Sequence, residues 1–459
     1  MTQEIDNPLG TQPIGKLLKK FAVPSIISMI VMSLYNIVDQ IFIGQTVGEL
    51  GNAATNVAFP LTTLCLATAL TLGIGSASGF NLNMGAGDTK KAPYYIGNAT
   101  TLMLIIGVII GVIGIVFVKP MLLFFGSTDK VLPFAMEYTR VIALGFPAAI
   151  VSAGGAHLVR ADGNPNFSMA CNLTGAVINV VLDYIFVILF GWGMSGAAIA
   201  TIIGQYVATL MVIWYLIHFK TVKLKKEHFV LNAKICLRAS HLGMAQGLNQ
   251  LAIMFVQIVM NKTLTYYGAL SSYGANIPLA VCGIVMKVNQ VYFSVCIGVA
   301  QGMQPIVSFN RGAGKFDRVK RTYKMALTCN VVISCIAFVV FQLFPEQLLS
   351  IFGSGSKEYM QFGVNFFRVF LFMTFLNGIQ PITSTFCIVI GEPNKGTFLS
   401  LTRQVICFIP LMLVLPIIFT TIGGKAMGIE GVMYVAPISD FLAAALSLIV
   451  VRKVFKTLQ

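Results

Sequence analysis

The sequence predicts an all-α integral membrane protein, with about twelve transmembrane helices in two pseudo-symmetric six-helix lobes. Composition, the spacing of apolar runs and an internal repeat carry that prediction. Of 459 residues, 56% are hydrophobic and only 10% are charged, and the mean hydropathy is +0.83. A soluble chain carries about a quarter charged residues. Residues 2–15 are polar and the first apolar run has no small-residue cleavage site, so that run is expected to remain as a helix.

Apolar runs long enough to cross a bilayer fall at 17–43, 53–82, 94–118, 131–156, 165–190 and 195–218, then at 236–263, 275–306, 322–345, 359–388, 397–421 and 429–451. These are spans 1 to 12. Lys and Arg test the count. One set of alternate connections holds Lys16, Lys19 and Lys20, the pair Lys90-Lys91, Arg160, the basic run after His218, the cluster from Arg311 to Lys324, Lys395 with Arg403, and Arg452, Lys453 and Lys456. The other set holds only Lys119, Lys130, Lys262, Lys357 and Lys425. The positive-inside rule then places both termini in the cytoplasm, as expected of a multi-pass protein of the cytoplasmic (inner) membrane. The net charge of +15 is distributed between apolar spans rather than over one soluble patch. It therefore speaks for topology and anionic membrane lipid, not nucleic acid.

The longest charged run, 219–235, reads as a cytoplasmic linker between an N-terminal lobe (1–218) and a C-terminal lobe (236–459). The lobes repeat each other. Gly85-Ala86-Gly87 returns 227 residues later as Gly312-Ala313-Gly314, and Phe125-Gly126-Ser127 returns at the same interval as Phe352-Gly353-Ser354. Gly163-Asn164-Pro165-Asn166 returns after 228 residues as Gly391-Glu392-Pro393-Asn394, and Gly193-Met194-Ser195-Gly196 returns as Gly428-Ile429-Glu430-Gly431. Six helices separate the copies. An even number makes this a parallel repeat, a class that holds its site at the repeat interface.

Charge inside the spans is rare and usually functional. Asp39 lies well inside span 1. Span 5 carries Asn172, Asn179 and Asp183 at steps of seven and four, on one helical face. Thr201 lies about five residues inside the outer end of span 6, with Gln205 one turn further on. Counted at about 1.5 Å per residue, Asp39, Asp183 and Thr201 share one depth in the outer half. Two carboxylates, an amide and a hydroxyl at one level make an oxygen cage for Na⁺ or a coupled pair sharing a proton. The repeat sharpens this. Asp39 maps near Met260, Asn179 to Cys407, Asp183 to Leu411 and Thr201 to Ala436, so only the N-terminal lobe keeps polarity here. A purely structural set of interhelical hydrogen bonds would be expected in both copies.

In the C-terminal lobe, Lys287 and Asp440 are the ionisable groups inside spans. They line a substrate cavity or form a structural pair. Tyr35, Asn36 and Gln290 complete the polar candidates for that cavity. Arg140 and Arg368 occupy matching places in the two halves and read as structural. Gly10 to Leu17 approaches a phosphate-binding loop but ends in Leu17 where Ser or Thr is required, and no strand precedes it. Gly75…Gly79 and Gly298…Gly302 are small-xxx-small packing signals. The nine cysteines sit singly, mostly within apolar runs, as small hydrophobes.

These residues resemble the multidrug and toxic compound extrusion (MATE) family, closest to its DinF/MepA-like bacterial branch. The resemblance covers essentially the whole chain. It rests on Tyr35-Asn36-Ile37-Val38-Asp39-Gln40-Ile41-Phe42-Ile43-Gly44, the paired Gly-Ala-Gly turns, Gly163-Asn164-Pro165, and Asn179 and Asp183 followed by Thr201. It implies twelve helices in two lobes and a secondary antiporter, not an enzyme. Such a protein expels amphipathic, cationic drugs or metabolites against inward flow of H⁺ or Na⁺, without a cofactor and as a monomer. It also implies a cation site at Asp39, Asn179, Asp183 and Thr201, while Met260 replaces a coupling acid that other branches place in the C-terminal lobe. A lipid or lipid-linked precursor flippase of the same superfamily is the alternative; it calls for a larger, more cationic central cavity and often for extra helices.

Overall fold

The computed structural model describes residues 7–274, 276–351 and 356–458, apart from the side chain of Glu49. Among the described residues the chain is helical throughout its apolar runs and contains no strand. Span 1 is Ile14–Thr46, span 2 Glu49–Gly85, span 3 Ala92–Val116, span 5 Pro165–Leu189 and span 6 Gly193–Ile217. Spans 7, 8 and 9 are Ala233–Ala269, Asn276–Gly312 and Phe316–Leu343; spans 11 and 12 are Pro393–Gly423 and Lys425–Thr457.

Spans 4 and 10, expected at 131–156 and 359–388, are each broken into two helices. Span 4 is Leu132–Leu144 and Phe146–Ala161, bent by 56° about Gly145. Pro147 follows that glycine and has no N–H for the previous turn. Span 10 is Lys357–Phe370 and Thr374–Val389, bent by 46°. Among the described residues, ten helices are long and apolar enough to cross a membrane, and twelve spans result when each bent pair is counted as one.

The repeat is visible in the turns. Gly87 and Gly314 have φ of 81° and 69°, a conformation closed to most L residues but open to glycine. Each lets the next amide reach back: Asp88 N donates to Asn83 O at 2.9 Å, and Lys315 N donates to Asn310 O at 2.9 Å. The repeat partner Phe352-Gly353-Ser354 lies outside the described residues.

The lobes meet mainly through spans 1, 2, 7 and 8, at the end of the bundle that carries the basic connections. There the backbones nearly touch. A Cβ on Gly75 would fall 1.9 Å from Ala239 O and one on Gly243 1.8 Å from Thr71 O. Cβ atoms on Gly85 and Gly312 would fall 2.0 Å from Phe309 O and Leu82 O. Gly298 and Gly302 similarly receive Ile26 and Ala22 of span 1, whereas Gly79 packs on the Tyr95 ring inside its own lobe. The bond furthest from this basic end is between Ser33 and Ser294, with hydroxyls 2.6 Å apart. Beyond it Asn36 and Gln290 are exposed, and among the described residues no inter-lobe side-chain hydrogen bond is formed.

The connection from span 6 to span 7 is strapped to the N-terminal lobe. Asp162 accepts from Lys220 N and Thr221 N, both at 2.8 Å. Asn98 Nδ2 donates to His228 O at 2.9 Å, and Thr101 Oγ1 donates to Phe229 O at 2.9 Å. Lys226–Phe229 forms a 3₁₀ turn on this support.

Candidate functional site

Two helix crossings set the polar site of the N-terminal lobe. Spans 5 and 6 cross at Gly175 and Gly204, where a Cβ on Gly204 would lie 2.6 Å from Gly175 O. Asn179 stands one turn above the first glycine, and Thr201 one turn from the second. Close approach therefore brings them together, and Asn179 Nδ2 donates to Thr201 Oγ1 at 3.2 Å. Span 1 packs along span 5. It delivers Asp39, whose carboxyl group lies within interacting range of Asp183.

The four residues Asp39, Asn179, Asp183 and Thr201 thus come together. Asp183 is fully buried and Asn179 is 3% exposed. Asp183 is the last α-helical residue of span 5, which widens into a π-helical turn over Tyr184–Leu189. Such turns recur at functional sites because they re-aim side chains.

The site is rich in acceptors and poor in donors. Both carboxylate oxygens of Asp183, Asp39 Oδ1 and Asn179 Oδ1 are buried without a hydrogen-bond donor. A buried unsatisfied polar atom costs about 1–3 kcal/mol, more when charged. A proton shared by the carboxyls, or a hard cation held by these oxygens and Thr201 Oγ1, relieves that cost. The donor set suits either ion.

Sequence reasoning missed Tyr138, which is buried on span 4 within electrostatic range of both carboxylates, as is Tyr35. The signal was present. Tyr138 maps 228 residues on to Phe366, the same loss of polarity that singled out Asp39 and Asp183. Gln205 lies against Gly145 at the bend of span 4, within 2.9 Å of where a Cβ would stand, and its Oε1 is buried without a donor.

The substrate-cavity candidates divide. Tyr35 and Asn36 follow Ser33 outward along span 1, and Lys287 and Gln290 precede Ser294 along span 8. All four lie on the side of the Ser33–Ser294 contact where the lobes part. Asn36 Nδ2 is engaged by Met32 O of its own helix at 2.8 Å. Lys287 is half-buried and makes no ion pair among the described residues.

Asp440 is instead bound to Arg403, Nε to Oδ1 at 2.6 Å, with its side chain 1% exposed. The structural pairing, not a free substrate acid, is what the fold provides. Arg403 was expected in a basic connection, but it lies inside span 11 on the π-helical segment Thr402–Phe408. Its guanidinium also sits over the Phe293 ring, 5.2 Å from the centroid. Arg160 likewise is buried rather than in a connection, with Nη1 3.2 Å from His157 Nδ1.

Comparison with known proteins places this geometry. The MatE family model matches residues 24–185 and 247–414. A FAD transporter of Shewanella oneidensis is 23% identical over 446 residues, 95% of this chain and 93% of its own. The multidrug export protein MepA of Staphylococcus saprophyticus is 24% identical over 439 residues, again 95% and 93%. A MOP superfamily transporter from Pyrococcus furiosus has the same fold, with a TM-score of 0.89 at 23% identity over 98% of each chain. The outward-facing structure of a multidrug resistance MATE family transporter matches with the same TM-score, identity and coverage.

Proposed function

The chain belongs to the MatE family, and on that premise we propose that it is a secondary active efflux antiporter. It exports amphipathic organic molecules in exchange for H⁺ or Na⁺ taken up at Asp39, Asn179, Asp183 and Thr201. One observation carries this reading: among the described residues, the buried carboxylate oxygens without a hydrogen-bond partner are those of Asp39 and Asp183, at membrane depth in the N-terminal lobe beside the unpartnered Asn179 Oδ1.

The physics follows from where the ion sits. With the basic end in the cytoplasm, the lobes are closed inside and parted outside, the state in which an external ion loads. A cation or proton between Asp39 and Asp183 removes their repulsion and draws span 1 toward span 5. Span 1 also carries Tyr35, Asn36 and Ser33, so this shift alters the cavity wall and the inter-lobe contact together. Each charge moving inward gains about 2.3 kcal/mol per 100 mV of membrane potential.

The charge of the cargo has a second reading. Asp440 is neutralised by Arg403, whereas Lys287, on the C-terminal wall, makes no ion pair among the described residues. That wall suits an anionic or zwitterionic cargo better than a simple organic cation. The name of the Shewanella relative, a FAD transporter, adds a flavin dinucleotide to the molecules worth testing.

Everted vesicles given an H⁺ gradient alone or a Na⁺ gradient alone test both points, with a fluorescent cationic dye in one arm and FAD in the other. Accumulation under one gradient that disappears in Asp39→Asn and Asp183→Asn supports antiport, names the ion and sorts the cargo. Normal accumulation in both variants refutes the ion site. No accumulation of either cargo, with translocation of a fluorescent phospholipid, replaces export by lipid flipping.

A further inference from the structure

At the basic end, where the lobes close, a cavity of about 660 Å³ remains between them. It is separate from the outer parting above Ser33 and from the carboxylate site. Lys91 and Tyr95 of the N-terminal lobe line it opposite Lys234, which the structure places in span 7 rather than in the linker, and Arg238 and Arg311 of the C-terminal lobe. Four basic residues line it, and no carboxylate is among the lining residues. Of the acids next to lining residues in sequence, Asp88 accepts the Lys91 amide through Oδ1 at 3.0 Å, and Glu392 pairs with Lys395 at 2.9 Å.

Topology explains why basic residues lie at this end, but not why they face one another across a cavity. Like charges on long, exposed side chains lower their energy by pointing apart. Local helix electrostatics do not explain the arrangement either. Lys91 immediately precedes the first turn of span 3 and Lys234 lies in the first turn of span 7. Helix N-termini present unsatisfied N–H groups and positive partial charge, which favour anions and disfavour lysine. Arg311 is fixed without a counter-ion, its Nε donating to Ile390 O at 3.4 Å and its guanidinium 5.0 Å from the Phe316 ring centroid.

We propose that this cavity binds a phosphate-bearing anion, clamped between the two lobes. Arg238 and Arg311 supply planar, bidentate donors, and Lys91 and Lys234 supply compact charges. Because the walls belong to opposite lobes, a bound anion bridges them and favours the form closed at the basic end. The site acts as a brake on opening there. A free phosphate compound and the headgroup of an anionic lipid share this chemistry.

Full-length protein in phosphatidylcholine nanodiscs, titrated with inorganic phosphate at constant ionic strength, gives the first arm. Phosphatidylglycerol nanodiscs without phosphate give the second. Melting temperature is read in both, and bound radiolabelled phosphate in the first. The variants are Lys91→Gln/Lys234→Gln, at exposed turn positions that tolerate change, and Arg238→Gln/Arg311→Gln. Lys453→Gln, exposed, unpaired among the described residues and outside the lining, controls for lost charge elsewhere at the same end.

Saturable phosphate binding with a raised melting temperature, weakened at least tenfold in both double variants but not in Lys453→Gln, establishes a soluble anion. Stabilisation by phosphatidylglycerol alone, lost in the same double variants, establishes a headgroup. The proposal fails if neither probe stabilises the wild type. It also fails if the double variants, folded as judged by their unliganded melting, respond as the wild type does.

Discussion

The two lobes repeat one fold, yet their equivalent positions hold opposite chemistry. In the N-terminal lobe, Asp39, Asp183, Asn179 and Thr201 form a polar cluster with buried oxygens that lack a partner, and Tyr138 is buried within electrostatic range of it. In the C-terminal lobe the matching positions are Met260, Leu411, Cys407, Ala436 and Phe366. Met260 and Phe366 are fully buried, Cys282 Sγ lies 3.7 Å from Met260 Sδ, and the Phe366 and Phe370 rings stack at 4.8 Å. One helical frame thus supports a polar cluster and an apolar plug. The difference teaches that the repeat determines where a site can be, while a handful of side chains determines whether it exists.

The comparison breaks most sharply where a charge loses its partner. Arg403→Met leaves Asp440 buried and uncompensated in the C-terminal lobe, a change worth about 3–5 kcal/mol. We expect a large fall in melting temperature in detergent, with most of it recovered in Arg403→Met/Asp440→Leu. Equal destabilisation in the double variant would show that the pair matters for more than charge balance.

Met260→Asp writes the N-terminal chemistry into the plug. With Leu411, Cys407 and Phe366 unchanged, the new carboxylate has no polar company and burial of an unpaired charge costs several kcal/mol. The expected outcome is reduced stability without a second ion-dependent stabilisation in Na⁺ or H⁺ titrations. Ion-dependent stabilisation appearing with this single change would mean that the C-terminal lobe is closer to a site than its packing indicates.

The converse change, Asp39→Met, removes a charge whose burial is already costly. It is expected to fold at least as stably as the wild type and to lose ion-driven transport by at least tenfold, about 1.4 kcal/mol of coupling. Retained ion-driven transport would remove Asp39 from the mechanism. Tyr138→Phe is the mildest test, since it copies Phe366 into the N-terminal lobe. Loss of one hydroxyl near the pair is expected to weaken ion affinity by less than tenfold, on the scale of about 1 kcal/mol for one hydrogen bond. No change in the ion titration would assign Tyr138 to packing alone.

Much of this architecture was legible in the residues. Asp39 and Asp183 stand out because a carboxylate within an apolar run has few structural uses, and the repeat showed them to be confined to one lobe. Tyr138 escaped notice because a tyrosine among apolar residues is ordinary; comparison with Phe366 gives it meaning. Arg403 and Arg160 were misplaced for a different reason. Counting basic residues in connections assumes that charge marks a boundary, and a buried arginine with a carboxylate or imidazole neighbour violates that assumption. Asp440 could be read either as a cavity acid or as a pair member, and its partner lies 37 residues away on another helix.

The sequence by itself determined the span count, the repeat, the acid positions and the concentration of basic residues at one end. These follow from hydropathy, periodicity and the cost of charge in lipid, all local properties of the chain. The tertiary structure decided what required two helices at once: the Gly175–Gly204 crossing that seats Asn179 on Thr201, the Arg403–Asp440 pair, the bends in spans 4 and 10, and the convergence of Lys91, Lys234, Arg238 and Arg311 from opposite lobes. Distance between side chains on different helices depends on crossing point and rotation, which small residues permit but do not specify alone.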